Sequence, residues 1–65
     1  GLALVETTGI VPFDTPIYAN NKIIGKVYTS TNNRALAYLR FELASKAMIA
    51  GEIQITYHGS HLSVD

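Results

Sequence analysis

The sequence has no cysteine, and its five Lys plus Arg balance five Asp plus Glu, so it carries neither a thiol nor an excess of either charge. The first absence excludes disulfide staples, thiolate ligation of iron–sulfur clusters and cysteine nucleophiles within this chain, leaving the domain to be held by its core. The second removes the electrostatic footprint that nucleic-acid binding requires, and Lys22, Lys26, Arg34, Arg40 and Lys46 are scattered rather than clustered. No nucleic-acid partner is expected. No apolar run approaches the ~20 residues that span a bilayer, and the N-terminus lacks the basic region of a signal peptide, so no membrane partner is expected either. Glycines 1, 9, 25, 51 and 59 stand apart, which excludes a glycine-rich phosphate cradle.

What is present is a short, apolar chain. At 65 residues it makes one domain, residues 1–65, and a chain of this size buries only ~60% of the surface its unfolded form exposes. A 48% apolar composition is generous for a free-standing domain of that size, and the first residue is Gly rather than Met. The expectation is a fragment of a longer chain.

The pattern is organised around residues 23 to 40. Ile23–Ser30 and Arg34–Arg40 are rich in Ile, Val, Tyr and Thr, and Thr31-Asn32-Asn33 between them supplies a polar turn. They form a β-hairpin. Within the first strand, Ile23, Ile24 and Val27 break strict alternation and Gly25 sits where the parity slips, the pattern of a β-bulge or sharp bend. Its bare backbone serves either sheet curvature or the approach of a ligand. In the second strand Leu36 and Tyr38 lie on one face and Ala35, Ala37 and Leu39 on the other, so the strand is expected to be covered on both sides.

Upstream, Leu2–Glu6 is a first strand ending at Thr7-Thr8-Gly9, and Pro12 and Pro16 make the stretch between them an extended connection. Ile17-Tyr18-Ala19 then turns through Asn20-Asn21 into the long strand as a tight hairpin. Downstream the period changes. Leu43, Ala47 and Ala50 stand at i, i+4 and i+7 with Gly51 in the place of a left-handed cap, which predicts a short helix near residues 42–50 packed over the open end of the sheet. Met48 and Ile49 either belong to that packing or mark a binding patch. Ile53, Ile55 and Tyr57 alternate with Glu52, Gln54 and Thr56, and with His61–Val64 they predict a second hairpin. The sum is a mainly β fold: a small antiparallel β-barrel of five or six strands with one short helix.

No catalytic or metal-binding constellation emerges. His58 and His61 are three apart on a turn without further ligands in pattern, and Ser30, Ser45, Ser60, Ser63, Asp14 and Asp65 stand outside any nucleophile motif. The catalytic and metal site residues are therefore none, and cofactor-binding residues are not marked.

The segment Ile24-Gly25-Lys26-Val27 with Thr29-Ser30, then Arg34-Ala35-Leu36-Ala37-Tyr38-Leu39-Arg40, Phe41 to Ala50, and Gly51-Glu52 resembles the C-terminal barrel domain of the folate-binding YgfZ family, relatives of the glycine-cleavage T-protein. In those proteins a G-x-x-V-G-x-V-x-S strand leads through a polar loop into an A-L-A-L-L-R strand. The resemblance spans about residues 15 to 56, rests mostly on fold positions, and departs from the family at Glu42, often Asp there, and at the bulky Tyr28. It implies an accessory barrel of a protein that uses tetrahydrofolate to support iron–sulfur cluster assembly or repair. The folate would be bound by the full-length protein and not by this fragment. The implied partners are the remainder of its own chain and iron–sulfur proteins, and the implied compartment is the bacterial cytoplasm or the mitochondrial matrix. The family's K-G-C-[YT]-x-G-Q-E segment has no counterpart here and would lie upstream. A T-protein-like aminomethyltransferase barrel and a stand-alone β-barrel interaction module are the alternatives.

Overall fold

A computed structural model describes residues 1–59. Six strands are formed: β1 (Leu2–Thr7), β2 (Pro16–Ala19), β3 (Lys22–Ser30), β4 (Arg34–Leu39), β5 (Ala47–Ala50) and β6 (Ile53–Thr56). They close into an antiparallel barrel in the order β1-β4-β3-β2-β5-β6. Closure pairs every strand on both sides, which removes the unpaired edges that short strands would otherwise leave in water.

The turns explain the order. Asn20 and Asn21 both adopt positive φ, 54° and 64°, between the paired residues Ala19 and Lys22. Asn tolerates this left-handed region, and two such residues in succession make the turn whose twist suits a two-residue hairpin. Thr31-Asn32-Asn33 then returns β3 into β4, with the Thr31 N–H donating to the Arg34 carbonyl at 2.8 Å. The first strand pairs with β4 along its length, from Leu2 opposite Tyr38 to Glu6 opposite Arg34.

Two bulges bend β3. Ile17 faces Gly25 and Tyr18 faces Ile23, so Ile24 is an extra residue on the β2 side; Val27 faces Ala37 and Thr29 faces Leu36, so Tyr28 is an extra residue on the β4 side. The parity slip seen at Gly25 is thus a real bulge. Glycine is needed there for closeness rather than for a left-handed φ: a Cβ on Gly25 would run into the Tyr38 carbonyl oxygen and lie 3.1 Å from the Leu39 Cα. Those atoms are backbone and cannot step aside.

The barrel interior is filled by side chains of alternate size. Ala3, Ala35 and Ala37 come from β1 and β4, and the large residues Ile17, Ile24 and Ile55 reach in from other staves, all of them buried. Val5 of β1 and Leu39 of β4 are buried beside these alanines, and Ala19 of β2 and Ala50 of β5 beside the isoleucines, so small and large residues interleave around the interior, as a narrow barrel requires. Val11 and Met48 join this core. Phe41 and Tyr57 stack at 5.8 Å between ring centres and pack with Ala44 and Ile53 against its rim.

Three expectations are corrected. No helix forms near residues 42–50: residues 41–44 make two tight turns, in which Leu43 donates to the Arg40 carbonyl and Ala44 to the Phe41 carbonyl, and β5 follows. Ala47-Met48-Ile49-Ala50 satisfies period 2 as well as period 3.6, and pairing with both β2 and β6 outweighs a helix too short to be stable alone. Gly51 does take the anticipated positive φ, 64°, but as the turn between β5 and β6. Second, β4 is covered on its inner face only, since Leu36 is half-buried and Tyr38 exposed. Third, β6 pairs with β5 and β1; the strand foreseen at 61–64 lies outside the described residues.

Candidate functional site

The residues singled out for chemistry are occupied with the fold. Ser30 Oγ accepts from the Val11 N–H at 2.8 Å and donates to the Thr31 carbonyl, and Ser45 Oγ donates to the Ala47 carbonyl. Asp14 pairs with Lys26 at 3.1 Å, while His58 Nε2 meets Glu6 Oε1 at 2.9 Å beside the seam of β1 and β6. Ser60, His61, Ser63 and Asp65 lie outside the described residues. Among the described residues no three His, Cys, Asp or Glu side chains come together.

A surface stands out instead. The outer faces of β1, β4 and β3 present Leu4, Leu36, Tyr38 and Tyr28 side by side, in a register that sets Leu4 opposite Leu36. Phe13 extends this row: its ring meets Tyr28 edge-on at 5.8 Å, and Tyr28 meets Tyr38 edge-on at 5.9 Å. The contact is built in by the loop. Thr15 donates twice to the Pro12 carbonyl, Asp14 donates to the Val27 carbonyl at 2.7 Å, and Val27 donates to the Thr15 carbonyl at 2.9 Å. Phe13 is therefore 70% exposed on a pinned turn rather than on a loose loop.

Next to the aromatic row lies an open depression of about 360 Å³, floored by Leu4, Ala35 and Leu36 and rimmed by Thr29, Asn33 and Arg34. A smaller one of about 230 Å³ adjoins it, sharing Leu4 and Arg34 and reaching Glu6 and His58. Arg34 thus stands between two concavities. The sequence reading missed Arg34 and the alignment of Tyr28 and Tyr38 with Phe13. The signals were there, in the strand that is apolar on both faces and in Tyr28, whose bulk in the resemblance had no role.

Tetrahydrofolate makes a demanding guest for this face. Its reduced pterin presents ring N–H donors that a dry pocket must meet with an acceptor such as a carboxylate. The larger depression has no carboxylate in its lining, and Glu6 in the smaller one is engaged by His58. These residues do not fit the cofactor.

Geometry therefore defines a class: a small closed β-barrel with an exposed apolar, aromatic row on its outer surface. Residues 1–61 match the family described as "CAF17, C-terminal beta-barrel domain". The chain belongs to this family, a folate-binding YgfZ-related one, as its C-terminal barrel domain. Neither a curated protein nor a solved structure matches the chain.

Proposed function

We propose that the chain is the accessory C-terminal barrel of a tetrahydrofolate-dependent protein that supports iron–sulfur cluster assembly or repair, in the bacterial cytoplasm or the mitochondrial matrix. The observation that carries this reading is family membership over residues 1–61. Folate is held by the remainder of the polypeptide, and the barrel itself carries no chemistry. What favours that division is the state of its polar side chains: Ser30, Ser45, Asp14, Glu6 and His58 are each bound within the fold.

The test is calorimetry of tetrahydrofolate against the isolated 65-residue chain and against the full-length protein, with the activity of an iron–sulfur-dependent enzyme followed in cells. Binding is expected to the full-length protein alone, with loss of client activity when the barrel is removed. Micromolar affinity of the isolated barrel would place the folate site here. Turnover of an aminomethyl carrier by the full-length protein would assign it to the transferase side of the family.

A further inference from the structure

We propose that the β5–β6 hairpin is a hinged stave: it leaves the barrel and returns as one unit about residues 40–46, while β1, β4, β3 and β2 stay together as a sheet. The device is a property of the barrel alone and does not depend on what the whole protein does.

A closed ring of strands comes apart only where two seams are cut. In the order β1-β4-β3-β2-β5-β6, the two sparsest seams are β2–β5, in register at Tyr18–Ile49 alone, and β1–β6, in register at Glu6–Thr56 and Thr7–Ile55. Both border the same hairpin. Every other way of dividing the ring breaks a longer ladder. β1 runs beside β4 from Leu2–Tyr38 to Glu6–Arg34, and β3 beside β4 from Gly25–Leu39 to Ser30–Ala35. β2 runs beside β3 from Pro16–Lys26 to Ala19–Lys22, and β5 beside β6 from Ala47–Thr56 to Ala50–Ile53. The cut also falls at the chain's own joint: the four-stranded part ends at Leu39, the hairpin starts at Ala47, and residues 40–46 between them contain no strand.

Packing divides along the same line. Met48, Ala50 and Ile55 leave the core with the hairpin, whereas the larger share of the core, from Ala3 to Leu39, stays on the sheet and its loop. The open form therefore loses less burial than complete unfolding and lies between the two in free energy. A detached two-stranded hairpin is marginally stable in water, so β5 and β6 give up their own ladder protection once they have left. Along the β1 seam the stave is fastened from its rim. Thr8 donates to the Gln54 carbonyl at 3.2 Å, Gln54 donates to Thr8 Oγ1 at 3.0 Å, and His58 Nε2 meets Glu6 Oε1 at 2.9 Å. The last pair is exposed on both sides and makes a weak latch. Opening withdraws the cover on Val5 of β1 and Ile17 of β2 and bares one edge of each strand, so this hairpin is the entry to the barrel interior.

The experiment is native-state hydrogen exchange of the full-length protein in rising denaturant below its unfolding midpoint, read by mass spectrometry on peptides from β5–β6 and from β3–β4. A hinged stave predicts that the β5–β6 amides exchange at least about tenfold faster without denaturant, with a denaturant slope of their own, and meet the β3–β4 line near the midpoint. A staple tests the unit directly. Tyr18 and Ile49 face each other with exposed side chains, and antiparallel partners stand about 4.5–5.5 Å apart between Cα atoms, within disulfide reach. In oxidised Tyr18→Cys/Ile49→Cys the gap between the two peptides should close to within about twofold, because the hairpin can no longer leave β2, and reduction should restore it. Equal rates and slopes for the two peptides in the unstapled protein would overturn the proposal, since the barrel would then open only by unfolding whole. So would a gap that survives oxidation, which would assign the fast exchange to fraying within the hairpin.

Discussion

The two sides of the barrel are built differently. On one side β4 is in register with β1 from Leu2–Tyr38 to Glu6–Arg34 and with β3 from Gly25–Leu39 to Ser30–Ala35. On the other, β2 meets β5 in register only at Tyr18 and Ile49, and β6 meets β1 only at Glu6–Thr56 and Thr7–Ile55. That second seam is reinforced by side chain and loop: the Gln54 N–H donates to Thr8 Oγ1 at 3.0 Å, the Thr8 N–H donates to the Gln54 carbonyl at 3.2 Å, and His58 reaches Glu6. The long-ladder side thus supplies a rigid platform, and the short-strand side completes the closure. The platform is also the side that carries the exposed aromatic face, which is where rigidity helps recognition.

The comparison can be broken hardest at Gly25. In Gly25→Ala the new methyl would occupy the position of the Tyr38 carbonyl and prise β3 from β4, so a loss of about 3 kcal/mol or more is expected. For a domain of this size that approaches the whole stability. A denaturant midpoint unchanged from the parent would show that the ladder has slack the close approach denies.

On the closing side, Gly51 lies at φ 64° and a Cβ there would meet nothing within 4 Å, so Gly51→Ala should cost only the conformational penalty, about 1 kcal/mol. Gly51→Asn should recover most of it, because Asn tolerates that region. Thermal melts of the pair check this, and a loss as large as that of Gly25→Ala would mean that β5 and β6 are as rigid as the platform. An effect no larger is expected from Phe13→Ser and Ile49→Ser, within about 1 kcal/mol, since both side chains are largely exposed and give up only the edge contact with Tyr28 and the pairing with Tyr18. The isolated barrel should nevertheless self-associate as concentration rises, and each substitution should reduce that. Sedimentation at several concentrations is the measurement; a strict monomer throughout would count against apolar contact surfaces at either position.

Most of the platform was legible in the sequence because its information is local. Asn20-Asn21 and Thr31-Asn32-Asn33 specify turns between neighbouring strands, and the parity slip at Gly25 betrays a bulge without reference to anything distant. The fifth strand was not legible, because Ala47–Ala50 is short enough to suit a helix or a strand, and only the gap between β2 and β6 decides between them. The candidate face was half legible. The two-sided apolar pattern of Arg34–Leu39 signals cover on both faces, yet which face the domain fills itself cannot be read along one strand.

The sequence by itself determined the β class, the hairpins and the residues able to fill a core, since periodicity and turn chemistry act over a few residues. Tertiary structure alone decided that Val11 and Met48 go inside while Ile10, Phe13 and Ile49 stay out, that Gly51 turns a hairpin instead of ending a helix, and that Phe13, Tyr28 and Tyr38 meet. A closed barrel of six short strands has a fixed interior volume, and the competition for it among apolar side chains distant in sequence is settled only when the last stave is in place.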